Sequence, residues 1–176
     1  MPLRNRGSQH AGEAPPKEYE STMVANERSY ILLSFSGSQN GNGTVSADTI
    51  YKNLMDQRIW FISRKPKYLV PGAVVLFYQS AMGVRGNATV AQVYDNSRAD
   101  FEALENLGLY QLRFKLALSG IQKFEKPIPL GPMVHDLEFV ANKKYWGHSV
   151  RGTPRQIPAV DFNKILEATR ITALFS

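Results

Sequence analysis

The sequence predicts an α+β domain built as a twisted antiparallel β-barrel with helices packed outside it. Short runs of β-branched and aromatic residues recur between glycine, proline and asparagine turn signals, which is the rhythm of a strand-rich chain. One run, Val74 to Tyr78, shows no apolar-polar alternation, the pattern of a strand covered on both faces. Two segments, Ser46 to Met55 and Pro158 to Thr169, instead carry apolar residues at helical spacing.

In chain order, residues 1–28 hold few large apolar groups among Gly, Ser, Pro, Glu and Arg. They bury too little to offset ordering entropy, so a disordered arm is expected ahead of a domain at 29–176. Tyr30 to Phe35 reads as a first buried strand, ending in a loop rich in glycine and asparagine, Ser36 to Gly43. That loop has neither the Lys-Ser/Thr end of a P-loop nor G-x-G-x-x-G spacing before a helix, which argues against nucleoside triphosphate binding. Ser46 then caps a short helix with Ile50, Leu54 and Met55 on one side. Arg58 to Ile62 is the next strand, followed by the basic turn Ser63-Arg64-Lys65-Pro66-Lys67.

Pro71-Gly72 opens the Val74 to Tyr78 strand, and Gly83 and Gly86 mark the loop before a return strand, Asn87 to Tyr94. Asn96 to Leu107 has the composition of a helix or crossover loop. Leu109 to Leu118 alternates in part, as a strand with one wet face does. Phe124 to Leu130 reads as an edge segment, because Pro127 and Pro129 cannot donate to a ladder. A helix or turn begins at Leu137, and Pro158 to Thr169 closes the domain as a helix.

Composition narrows the chemistry. The chain has no cysteine, which excludes disulfides, thiol catalysis and cysteine zinc sites, and His10, His135 and His148 lack metal-ligand spacing. Neither metal nor cofactor is expected. His148 has no partnered nucleophile or carboxylate near it in sequence, so no catalytic constellation emerges and a non-enzymatic role is expected. Without an apolar run of membrane-span length or a secretory signal, a soluble, cytoplasmic protein with no membrane partner is expected. Of the 21 basic and 15 acidic side chains, four of each lie in residues 1–28, so the whole excess of +6 belongs to the remainder. Such a balance favours a polyanionic partner, while an ordinary basic surface fits it equally well.

The stretch from Tyr30 to about Glu167 resembles the EVE domains of the PUA-like superfamily, relatives of the YTH and ASCH modules. The best single match is the phrase G-x-x-V-x-F-Y at Gly72, Val75, Phe77 and Tyr78; the first strand, the Trp60 strand, the segment Lys126 to Leu130 and Trp146 to Val150 carry the rest. The resemblance implies a reader of DNA or RNA, whose barrel pocket holds a flipped or modified base while a basic rim holds the backbone. Carried onto this chain, it implies a base pocket of Ser34, Ser36, Trp60, Phe61, Tyr78, Ser80, Trp146 and Ser149. The implied phosphate rim is Arg64, Lys65, Lys67, Lys143, Lys144, Arg151 and Arg155. Two departures stand out. The asparagine that EVE domains carry soon after the Trp strand is replaced by Ser63-Arg64-Lys65-Pro66, and the ASCH phrase Gly-x-Lys-x-x-Glu-x-Arg is absent.

Residue type alone leaves Trp60 and Trp146 open between core packing and a pocket. The alternatives in function are an enzyme of RNA metabolism, an accessory subunit of a separate catalytic partner such as a nuclease or acetyltransferase, or a small-ligand binder whose affinity ignores salt.

Overall fold

A computed structural model describes residues 28–151 and 154–174. The expected arm lies outside them except for Arg28, which is exposed. The first strand, β1 (Tyr30–Phe35), leads into a two-stranded hairpin, β2 (Ser38–Asn40) and β3 (Gly43–Val45), where the sequence predicted only a loop. This hairpin is tied down: Ser38 Oγ donates to the Leu107 carbonyl and Asn40 Nδ2 to the Asn106 carbonyl. Helix α1 (Ala47–Asp56) starts at the Ser46 cap, whose side chain accepts from the Thr49 N–H at 3.1 Å. Then come β4 (Ile59–Ile62), β5 (Val74–Gln79), β6 (Gly83–Asp95), α2 (Arg98–Asn106) and β7 (Phe114–Ile128). A 3-10 turn (Gly131–Asp136), a single helical turn α3 (Gly147–Val150), β8 (Arg155–Ile157) and α4 (Ala159–Leu174) complete the described chain.

Six strands form one mixed sheet in the order β4-β7-β6-β5-β1-β8. The sequence reading of a twisted antiparallel barrel needs correction in strand direction, and the sheet stays open. β1 and β5 run parallel, from Tyr30 opposite Val74 to Phe35 opposite Gln79, which their long crossover through α1 and β4 permits. β4 and β8 do not pair with each other among the described residues, so the sheet is a curled half-barrel. Its curl has a local cause in the β6–β7 pair, whose register slips at three places, with extra residues on β7 at two of them and on β6 near Val90 to Gln92, so both strands bend there.

β5 runs through the middle, and all six of its residues are buried, as the unbroken apolar run predicted. Its alternate side chains divide the interior. Val75 and Phe77 join Ile31, Leu33, α1, α2 and β4 in one cluster, whereas Val74, Leu76 and Tyr78 join Leu32, the 3-10 turn and α4 in another. Two cores therefore lie on opposite faces of the sheet.

Three boundaries move for physical reasons. The turn after β5 is Ser80–Met82, and Gly83 and Gly86 belong to β6. Gly86 is there because a Cβ would stand 2.3 Å from the Gln122 carbonyl oxygen on β7. β7 begins at Phe114, five residues late, because Leu109 is drawn back toward α2 by its N–H bond to the Leu104 carbonyl at 2.7 Å. Pro127 lies inside the end of β7, but β4 pairs with β7 only as far as Ala117, so the expected edge character holds.

Candidate functional site

The C-terminal end of β1, the buried face of α1, β4 and the segment after α2 enclose a cavity of about 220 Å³. Strand periodicity explains which β1 side chains it receives. Leu33 and Phe35 share the phase of Ile31 and face this core, whereas Ser34 is on the opposite phase at the cavity's upper edge. β4 supplies Trp60 and Phe61, both buried, and Leu109 and Leu112 close the far side. Exposed Ser36 and Ser63 stand at its opening.

The ring set is continuous. Trp60 lies 4.7 Å from Phe77 and meets Phe35 edge-on at 5.2 Å, and Phe35 stacks on Tyr51 at 5.5 Å. Tyr51 in turn carries the Arg85 guanidinium 5.0 Å above its ring and donates its hydroxyl to the Arg85 carbonyl at 3.2 Å. Burial pushes the Tyr51 hydroxyl up to about 12, against the opposing effect of Arg85, so it remains a donor at any physiological pH. Arg85 also binds Asp48 and the buried Gln79 side chain, which fixes the base of α1 to the β5–β6 turn.

Four of the eight proposed pocket residues, Ser34, Ser36, Trp60 and Phe61, line this one cavity. Ser80 is exposed, its N–H bonded to the Phe35 carbonyl at 2.9 Å, so it adjoins the end of β1 without lining the cavity. Tyr78 is buried in the other core, where burial raises its hydroxyl pKa and the Arg151 charge acts the opposite way. Trp146 packs half-buried against that same core, and Ser149 follows it in α3. The two tryptophans thus belong to opposite faces of the sheet.

The cations divide the same way. Arg64, Lys65 and Lys67 are exposed in the loop that follows Ser63 at the opening. Lys143 donates to the Leu137 carbonyl at 2.5 Å, Lys144 lies 5.3 Å from the Tyr145 ring centre, Arg151 is exposed and Arg155 sits on the edge strand β8. Tyr68 Oη donates to the Pro154 carbonyl at 2.9 Å and so links the two loop regions.

Phe35, Ser63, Leu109 and Leu112 line the cavity and were missed by the sequence reading. Period-two counting from Ile31 would have found Phe35, but nothing local indicates that Leu109 and Leu112 leave the strand. Among the described residues no group of three or more His, Asp or Glu is placed to hold a metal, and no helix is long and apolar enough to cross a membrane.

No family model matches this chain, and no curated protein matches it. Among solved structures it is similar to the YTH domain of Zygosaccharomyces rouxii MRB1 protein, determined in complex with N6-methyladenosine RNA. Identity is 15%, the TM-score is 0.43, and the match covers 83% of this chain and 89% of that one.

Proposed function

We propose that this chain is a PUA-like, EVE-type binding module that takes a flipped, modified nucleobase of a single-stranded nucleic acid into the β1–β4 cavity. The observation that carries the reading is the lining: three aromatic side chains, Phe35, Trp60 and Phe61, with serines at the mouth and no charged group in the walls. An apolar cavity of ~150 Å³ already accepts a benzene ring. One of about 220 Å³ has room for a heterocyclic base. A base taken out of its stack recovers ~1–3 kcal/mol from each aromatic platform, and serine hydroxyls and backbone groups can read its edge. Arg64, Lys65 and Lys67, next in sequence to the mouth residue Ser63, supply the cations for the backbone. A wall of aliphatic, aromatic and hydroxyl groups supports binding better than acid-base chemistry.

The test is fluorescence anisotropy with RNA and DNA nonamers carrying N6-methyladenine, 5-methylcytosine or the unmodified base, at two salt concentrations. Ser36→Trp, at an exposed mouth position, is expected to abolish modification-dependent binding while leaving the fold intact. Replacing Arg64, Lys65 and Lys67 together by Ala is expected to reduce the salt slope by about 2, at ~0.7 per phosphate contact. Absence of binding at low salt, or binding indifferent to Ser36→Trp, would overturn the reading. Capture of a free nucleoside with no salt dependence and no gain from a longer strand would make it a small-ligand binder.

A further inference from the structure

The segment after α2 is a partition. Leu109 and Leu112 face the cavity, while Tyr110, Gln111 and Arg113 line a second cleft of about 750 Å³ together with Asp95, Asn96 and Phe101. Ser63 belongs to both, so the two spaces meet at the mouth beside Arg64 and Lys65.

The partition is fixed from both sides. Arg113 N–H donates to the Ile62 carbonyl at 2.9 Å, and Asn96 brackets the segment with its N–H on the Arg113 carbonyl and its Nδ2 on the Leu112 carbonyl, both at 3.0 Å. Asn96 Oδ1 is left as a buried acceptor with no partner among the described residues, the cost of orienting that amide toward the partition. A wall held this way presents its outer side chains from a rigid base.

Those outer side chains are unusual for a surface. Tyr110 is 64% exposed and Phe101 44%, both open into the same cleft, and neither meets another ring among the described residues. Arg113 is exposed beside them and has no acidic partner among the described residues. Single exposed aromatics are common, but two convergent rings with an uncommitted guanidinium match the chemistry of a nucleotide stacked on protein. Asp95 lines the cleft too, and its charge opposes a phosphate placed close to it; a carboxylate instead accepts from an exocyclic amino group, as it does from cytosine N4.

We infer that this cleft is a second subsite, which stacks the nucleotide adjacent to the one in the cavity between Phe101 and Tyr110 and holds its phosphate at Arg113. This rests on the function proposed above and extends it from one base to a path of at least two nucleotides crossing Ser63. Single-stranded nucleic acid is the occupant because stacking surface and cation occur together next to the basic mouth loop.

The experiment compares two probes on the full chain: the free modified nucleoside and a nonamer, RNA or DNA, carrying that nucleoside centrally. For Tyr110→Ala, nonamer affinity should fall about 5- to 150-fold, the range for one lost base stack, with nucleoside affinity unchanged. Phe101→Ala should act in the same direction, and Arg113→Ala should lower the nonamer's salt slope by about 0.7. Equal nonamer affinity of Tyr110→Ala and wild type overturns the second subsite, provided that Ser36→Trp still abolishes nonamer binding, which leaves the cavity reading standing. Equal loss for nucleoside and nonamer also overturns it, because Tyr110 would then act only through the partition. A wild type that binds no nonamer at low salt overturns both proposals.

Discussion

Trp60 carries the most consequential prediction, because it is both a candidate stacking surface and a structural ring. It is 4% exposed and touches Phe77 at 4.7 Å and Phe35 at 5.2 Å, with Tyr51 at 6.3 Å. Removing a buried indole costs ~3–5 kcal/mol through lost transfer energy and the void left behind. The upper half of that range is expected here, since three ring neighbours lose their partner at once and the adjoining cavity leaves them little to collapse onto. For a domain of this length, ~2–4 °C per kcal/mol over ~4–5 kcal/mol gives a fall in Tm of about 8–20 °C for Trp60→Ala. Trp60→Phe, which keeps a ring, should cost ~1–2 kcal/mol. Urea unfolding followed by far-UV circular dichroism measures both, and an unchanged m-value keeps the comparison valid. Tryptophan emission would not serve, because Trp146 reports on the opposite core. A loss below ~1 kcal/mol in Trp60→Ala would refute the structural assignment and make the ring a dispensable part of the pocket. The expected loss is also why loss of binding in Trp60→Ala is interpretable only well below its transition, and why Ser36→Trp is the sharper probe.

Gly86→Ala should destabilise by ~2 kcal/mol or more, since the new methyl would meet the Gln122 carbonyl at 2.3 Å and the Tyr51 hydroxyl at 2.7 Å; a wild-type midpoint in urea would contradict this. Asp161→Ala should cost ~2–4 kcal/mol, because its fully buried carboxylate accepts the Glu138 and Phe139 N–H groups at 2.9 and 2.8 Å and both would be left unpaired; thermal unfolding tests it. Burial favours the neutral form of Asp100, yet hydrogen bonds from Lys115 and Ser97 outweigh it and hold the carboxyl below the usual carboxylate range. Its contribution to stability is therefore complete above the unfolded value of about 3.9 and is lost as pH falls through the lower folded value. Asp100→Asn should accordingly flatten the acid limb of stability against pH. Asp56, held down by its hydrogen bond from Lys123, keeps a residual slope, and an acid limb unchanged in Asp100→Asn would refute the assignment.

Local chemistry made much of this chain legible. The Ser46 cap placed α1, the unbroken run Val74 to Tyr78 announced a strand buried on both faces, and the prolines after Phe124 marked the part of β7 with one neighbour. Each is a short-range cause acting within a few residues. The Leu109 boundary failed for the opposite reason: the residue alternates like a strand, but a bond to the end of α2 and the space beside Phe61 draw it inward.

Sequence by itself thus determined the buried strands at Tyr30–Phe35, Ile59–Ile62 and Val74–Gln79, the helices that follow Ser46 and Pro158, and where the basic excess lies. It also placed Ser34, Trp60 and Phe61 on two of those strands, with Ser36 just beyond the first. Only the tertiary structure decided which aromatic groups share a space. Period two assigns a side chain to one face or the other, but which helices cover that face depends on pairings between distant segments. Here α1 and α2 cover the face bearing Trp60, and the 3-10 turn and α4 cover the face bearing Tyr78 and Trp146. Strand order brought the Leu109 partition against Ser63 and so set the aromatic cavity beside the second cleft.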